Sequence, residues 1–577
     1  MLSISKSKGK ELVFILLLIA ISSFLFAYKL DYDLPNIYNV DEAYVILPAL
    51  RMGMGNFDPI SYVYGPFFKY LLVLIYGAYY LVGLALLKFR SAEEFAVAFF
   101  RDPTPIFLLS RALSAAAGVL TVVLTYFLGR DMYNKKVGVT AALFLMVSPL
   151  FISFSHQAKM DMVLTLCFTL SFYFIYKYMT MRQMKYYIIA GIVLGLAVAL
   201  KFPAVMLFVP FLYAHLSQKN SLFNKKLFLG IISIAFGYFI ANPFALSNIP
   251  KVISQALFFK ELYSYSMGDL PQPFSYWFYG MNEALGAIIT WSGLAGFIYL
   301  ILRRQNKDIL LSLAVIAFFL SVGFSYFKSI HWLLPIFPLF LILSGNIIWD
   351  AAKKMFAEKG MPLIMAFIMG LFIFQPLRSS LMVLSDYNKL ETRTLALCWI
   401  EKNVPKGSKI LMDRGRYLSS FNVPLKRSKA NLKNLLLQSR IRSGESDGYK
   451  FKKELTLEFP DLGKYYEYMM KALRENDVTY DVVPIFHGII AEKGAPFVRD
   501  NLKSLTDYKR EGIEYVVVSS ICYLTYKKHV ESEEAVPEFV KKYNKFYQDL
   551  DKSCKLLKVF YADGIKAKGP TIKIYHI

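Results

Sequence analysis

ELVFILLLIAISSFLFAYKL, residues 11–30, decides the architecture. Apart from Ser22 and Ser23 the run from Leu12 to Tyr28 is apolar, and as a helix it is long enough to cross about 30 Å of hydrocarbon. Lys6, Lys8 and Lys10 precede it as they would in a signal peptide. No small-residue cleavage site follows, so it reads as a retained first helix that starts in the cytoplasm. Runs of about 18 to 22 apolar residues then recur as far as Arg378. With 577 residues, 56% hydrophobic, 16% aromatic and only 19% charged, an ordinary soluble globular protein is excluded. The fold class that follows is a polytopic α-helical membrane protein of about eleven transmembrane helices.

Past Arg378 the pattern changes to Lys, Asp, Glu and Tyr with short β-type runs. We divide the chain into a membrane domain, residues 1–380 with a first outer loop at 31–105, and a soluble α/β domain, residues 381–577. In the latter, helices are expected at Thr392 to Asn403, Tyr465 to Glu475 and Val536 to Leu550. Strands are expected at Lys409 to Met412, Tyr480 to Ile485, Tyr515 to Ser519, Leu556 to Tyr561 and Thr571 to His576. Residues 425–460, rich in Lys, Arg and Ser, read as an exposed insertion. The domain carries no Gly-rich phosphate loop, metal constellation or nucleophile motif. Four cysteines are too few for a disulfide framework. One Cys522–Cys554 bridge and unpaired buried thiols are both open.

The net charge of +24 is what basic cytoplasmic loops produce in a membrane protein, and it does not argue for nucleic acid, which we exclude as a partner. Placing Arg130, Lys135 and Lys136, then Lys177, Arg182 and Lys185, then Lys219, Lys225 and Lys226, then Arg303, Arg304 and Lys307, then Lys353, Lys354 and Lys359 inside gives a consistent ladder. Parity then makes segment 67–87 a re-entrant or interfacial hairpin and puts the C-terminal domain outside. Asp41, Glu42, Tyr64, Lys69, Arg111, His156, Asp161, Lys201 and His331 all fall on that outer side. Charges beside the apolar zone are costly unless paired or solvated, so their concentration on one face points to a polar cavity.

Each has a plainer reading beside it. Asp41-Glu42 follows the first helix and is either a helix-capping pair or a base with an orienting neighbour. Tyr64-Gly65-Pro66 sets a turn that brings Lys69 toward the interface, to hold a phosphate or to snorkel. Arg111 opens a helix backed by small residues, and its plainer reading is an interfacial anchor. Asp161, after Ser155-His156-Gln157-Ala158-Lys159-Met160, is an N-cap or a second acid in the cavity. His156 and Asp161 are a weak spacing for metal ligation. No cofactor is required, and a divalent metal ion stays as an option. Gly191 and Gly195 are packing glycines on a helix that ends at Lys201. His331, before Trp332-Leu333-Leu334-Pro335-Ile336-Phe337-Pro338, starts a bent helix and is an interface residue or an anion contact.

Taken in order, Asp41-Glu42, Tyr64-Gly65-Pro66, Arg111, Leu128-Gly129-Arg130-Asp131-Met132-Tyr133, Ser148-Pro149-Leu150 through Asp161, Gly191 to Lys201 and Leu333 to Pro338 resemble the protein O-mannosyltransferase and aminoarabinose transferase group, glycosyltransferase family 39, with the GT-C membrane fold. Thr392-Arg393-Thr394-Leu395-Ala396, Trp399 to Pro405 and Gly569 to Tyr575 resemble the outer domain of prokaryotic members. The resemblance implies transfer of a hexose or pentose, usually with inversion, from a polyprenyl-phosphate donor to a protein, lipid or glycan acceptor. The enzyme would be a multi-pass protein of the cell (plasma) membrane, in contact with membrane lipid, with its active site and C-terminal domain extracytoplasmic. Asp41 would be the general base with Glu42 beside it, Asp161 a further acidic site residue, and Arg111 a residue shaping the first loop or the cavity. Lys69, Lys201 and His331 would supply positive charge, with Tyr64 and His156 as further substrate contacts. Two departures stand out: His331-Trp332 replaces an Arg-Tyr common in relatives, and Tyr64-Gly65-Pro66 replaces a His or Lys before Pro-Pro.

Two other classes compete. A transporter or lipid-linked sugar flippase also carries intramembrane charge, but the two halves show no clear self-similarity. A binding or assembly factor would rest its work on the outer domain alone.

Overall fold

The computed structural model describes residues 2–221, 224–264, 273–325, 328–355, 361–413, 422–444, 462–485, 502–532 and 538–577. They form two compact units. The first comprises Met1–Leu30, Gly55–Ile75 and Leu108–Leu384, and the second Asp31–Met54, Tyr76–Phe107 and Ser385–Ile577. The second unit takes the whole described chain from Ser385 on. Residues 31–54 and 76–107 group with it.

The helical unit follows from its apolar runs. In chain order the first helices of the chain are α1 (Leu2–Ala27), α2 (Val40–Met52), α3 (Pro66–Ala85), α4 (Ala92–Arg101), α5 (Thr104–Met132), α6 (Lys135–Met146), α7 (Pro149–Ser155), α8 (Asp161–Met181) and α9 (Met184–Leu200). Among the described residues, seven helices are long and apolar enough to cross a membrane, or up to nine if each of two bent pairs is one span. The expected count of about eleven includes shorter apolar helices such as Met184–Leu200 and Phe202–Leu216. One bent pair, Ser275–Leu285 with Ala287–Arg303, turns through 119° at Gly286, whose φ of +89° suits glycine alone.

Segment 67–87 corrects its expectation. Its shape is one continuous 20-residue helix, α3, and not a hairpin; by length and composition alone it is also a candidate span. Parity counts charges between segments and is blind to turns. Gly77 and Gly83 lie within α3, where an apolar setting holds the backbone to its own hydrogen bonds.

The glycines of α9 serve close packing, as expected. A Cβ at Gly195 would stand 2.2 Å from the Ile234 carbonyl oxygen, and one at Gly237 2.1 Å from that of Ile192. Thus α9 and the helix Lys225–Ala241 approach backbone to backbone.

In the second unit a five-stranded sheet runs β3-β2-β4-β7-β5: β2 (Lys409–Asp413), β3 (Asp481–Ile485), β4 (Tyr515–Ser519), β5 (Lys555–Phe560) and β7 (Ile572–His576). The first three are mutually parallel and β7 is antiparallel to both its neighbours. Leu411, Val516 and Val518 face one buried cluster, and Ile410, Met412 and Val517 the other. Burial on both faces explains why these strands read as unbroken apolar runs. A separate parallel pair joins β1 (Leu390–Glu391) to β6 (Ala567–Lys568).

Of the two cysteine readings the unpaired one stands, and the reading of residues 425–460 changes. All four cysteines keep their thiols, and Cys522 packs with Tyr526 and Tyr543 in the core. Residues 429–444 are not a loose insertion but a helix whose Leu432 and Leu436 pack on Tyr465 and Tyr466, with Phe100 of α4 against the same cluster. The rest of that stretch, 445–460, lies outside the described residues.

Candidate functional site

In the helical unit the chemistry-bearing groups gather where α8 starts and α9 ends. Asp161 is the first residue of α8 and makes no cap; Met160 occupies the N-cap position. Its carboxylate instead takes the Lys201 ammonium, Nζ to Oδ1 at 2.7 Å. The Asp161 side chain is 3% exposed and that of Lys201 17%, and Oδ2 of Asp161 is buried with no hydrogen-bond partner among the described residues. A buried carboxylate with one oxygen paired and the other open is costly unless something donates to it.

Three supports fix the pair. Tyr64 and Lys201 form an antiparallel bridge, and the Gly65 N–H donates to the Leu200 carbonyl at 3.1 Å. Gly65 has φ +66°, and a Cβ there would stand 2.8 Å from the Met160 sulfur, so a side chain at this position would be strained and crowded. Finally, Gln255 and Asn242 hold the strand before it: the Tyr62 N–H donates to the Gln255 amide oxygen at 2.8 Å, and the Asn242 amide to the Tyr62 carbonyl at 2.9 Å. Pro66 then starts α3, and Lys69 in its first turn is buried, with Nζ 3.3 Å from the Pro59 carbonyl.

Lys159 and His331, with Lys201, are in electrostatic reach of Asp161. The Lys159 ammonium lies 4.8 Å from the centre of the Phe154 ring, and the His331 imidazole stacks on the same ring at 4.9 Å. Nδ1 of His331 is 2.6 Å from the Ser329 hydroxyl. His331 lies in a 3-10 turn, Ile330–Ile336, that includes Pro335 and precedes the helix Phe337–Met355.

His156 and Arg111 do something else. Buried, His156 has Nδ1 2.8 Å from the Ile152 carbonyl and Nε2 2.8 Å from that of Tyr28. Arg111, well inside α5 instead of opening it, donates from Nη1 to the Leu30 carbonyl at 2.6 Å. Both grip the turn that closes α1, from which the chain continues toward Asp41. Their position suits holding that exit better than touching a substrate.

Asp41 and Glu42 lie in the second unit, in the first turn of α2. Asn39 caps the helix, accepting from the Asp41 N–H at 3.1 Å. The pair divides: Asp41 is exposed, and Glu42 is fully buried.

No group of three or more His, Cys, Asp or Glu residues that could hold a metal exists among the described residues. A divalent ion on the open Asp161 oxygen would face Lys201, Lys159 and His331, and that donor set does not fit a cation. Lys159 escaped the sequence reading. Its signal was there, a lysine two residues before Asp161, but nothing in the spacing shows that it folds back over Phe154. Gln255 and Asn242 gave no signal.

Residues 108–243 match the family described as dolichyl-phosphate-mannose-protein mannosyltransferase. That stretch contains Arg111, His156, Asp161 and Lys201. Among curated proteins, none matches by sequence. Among solved structures, ArnT from Cupriavidus metallidurans in the apo state is similar over 98% of each chain, with a TM-score of 0.54 and 10% identity. The same enzyme bound to undecaprenyl phosphate is similar over 97% of this chain and 98% of that one, with a TM-score of 0.52 and 11% identity. One stretch of the chain thus matches the protein-mannosyltransferase family, and the chain along its length shares the fold of ArnT.

Proposed function

We propose that the protein transfers a sugar from a polyprenyl-phosphate donor to an acceptor hydroxyl on the extracytoplasmic side of the membrane, with inversion. The observation that carries this reading is the buried Asp161–Lys201 pair, built inside the family domain with one carboxylate oxygen left open. Among cations, that oxygen calls for a donor such as a sugar hydroxyl. ArnT bound to undecaprenyl phosphate, the same fold, supports a lipid phosphate as leaving group.

In this reading Asp41 takes the proton from the acceptor hydroxyl as its oxygen attacks the anomeric carbon. The bond from that carbon to the phosphate oxygen breaks, and polyprenyl phosphate leaves with the bonding pair. Lys69, Lys201 and His331 steady the charge that develops on the phosphate. Tyr64, bridged to Lys201, lines the donor side, and Arg111 and His156 position the exit of α1. Buried Glu42 serves the fold around Asp41.

The test uses full-length protein in nanodiscs with labelled polyprenyl-phosphate mannose and polyprenyl-phosphate aminopentose, with sugar release and transfer as readout. Asp41→Asn should lower turnover by about 10²- to 10⁴-fold with donor binding kept. Unchanged turnover removes Asp41 from the mechanism.

A further inference from the structure

Of the twelve residues between α1 and α2, the nine from Asp31 on belong to the unit of the C-terminal domain, and that domain holds them at successive points. Lys568 of β6 pairs with Asp33, Nζ to Oδ2 at 3.0 Å. It also lies over the rings of Tyr32 and Tyr387, at 5.1 and 5.7 Å, which themselves meet at 4.5 Å. Further along, the Thr394 hydroxyl is shared: the Asn36 amide donates to it at 3.4 Å, and the Tyr38 hydroxyl is 2.6 Å away. The Arg393 guanidinium lies 4.0 Å from the centre of the Tyr38 ring, and its Nε and Nη2 donate to Oε1 of Glu391, each at 2.6 Å.

Glu391 and Lys568 are register partners in the β1–β6 pair, so both anchors stand on one small platform. The platform is shaped for them. Gly569, at φ +105°, leaves room that a Cβ would close by coming within 2.0 Å of the Glu391 carboxylate. After Tyr38 no slack remains, because Asn39 caps α2 through the Asp41 N–H.

We propose that the β1–β6 platform is a clamp that fixes the place of Asp41, with Lys568, Arg393 and Thr394 as positioning residues for the transfer reaction. This rests on the reading of Asp41 as general base. The C-terminal domain then takes part in turnover without touching the reacting atoms, by restricting how far the first turn of α2 can wander.

The test compares Thr394→Val, which keeps shape and removes the shared hydroxyl, with Thr394→Ser, which keeps the hydroxyl, and adds Lys568→Met at the other anchor. Full-length protein in nanodiscs is followed by hydrogen exchange over residues 31–42 and by turnover of the labelled donors above. Thr394→Val and Lys568→Met should each speed that exchange and lower kcat by about tenfold with the donor KM unchanged, and Thr394→Ser should do neither. Wild-type exchange in both variants overturns the clamp. So does faster exchange with wild-type kcat while Asp41→Asn is inactive. If Asp41→Asn keeps full turnover, the general-base reading falls by itself, and the exchange pattern alone then decides the clamp.

Discussion

Lys201→Met offers the sharpest test of the site. It leaves the Asp161 carboxylate buried beside a thioether. At 2.7 Å the attraction lost is about 6 kcal/mol for an effective dielectric constant near 20. Part of it is returned, because the ammonium no longer has to be desolvated. Breaking a buried pair from one side costs about 3 to 5 kcal/mol. Lys201 keeps 17% of its side chain in contact with solvent, and Lys159 and His331 also act on Asp161, so about 3 kcal/mol is the expected loss. Asp161→Asn/Lys201→Met removes the orphaned charge and should be more stable than Lys201→Met alone by at least about 1 kcal/mol. The assay is the thermal midpoint of full-length protein in one detergent at a fixed scan rate, with donor binding in parallel. A single variant as stable as wild type, or a double variant less stable than Lys201→Met, refutes the view that the pair is buried and mutually dependent.

Gly65→Ala places a side chain at φ +66° and 2.8 Å from the Met160 sulfur. It should lower stability by about 1 to 2 kcal/mol from the backbone alone and raise the donor KM, with Met160→Ala relieving only the steric part; an unchanged midpoint would show that the Tyr64–Lys201 bridge does not depend on this turn. Asp563 accepts the backbone N–H groups of Ala567, Ile565 and Lys566 at 2.9, 2.9 and 2.7 Å on one oxygen, and these bonds hold its carboxyl below the usual carboxylate range. A carboxyl lowered in the folded state contributes stability that is complete above the unfolded value, about pH 4, and is lost as pH falls through the lower folded value. Exchange protection of residues 565–568 should fall in that acid window in wild type and stay flat in Asp563→Asn; a flat wild-type profile contradicts the assignment.

Local pattern made much of the fold legible. The helix Thr392–Asn403 and the strand Tyr515–Ser519 appear with the expected limits, because a solvated amphipathic helix and a doubly buried strand each leave a periodic signature. Of the site, the residue types were legible and their partners were not. Asp161 reads as a cap because an Asp before an apolar run usually is one, and only the packing of α8 against α9 reveals a lysine forty positions on. Arg111 likewise reads as an interfacial anchor until its guanidinium is seen on the Leu30 carbonyl. The division of the outer loop leaves no trace in composition, since Phe100 meeting Tyr465 at 5.0 Å is a contact between segments hundreds of residues apart.

That contact has a practical side. Phe100, Asp33 and Tyr38 pack into the same body as the terminal sheet, so a fragment cut after Leu384 lacks pieces of its own interior. Expressed alone it would show a raw apolar patch at Tyr465 and an unmatched lysine at 568, and would tend to self-associate. Restoring that interior therefore calls for 31–54 and the segment around α4, grafted back through linkers without the apolar end of α3.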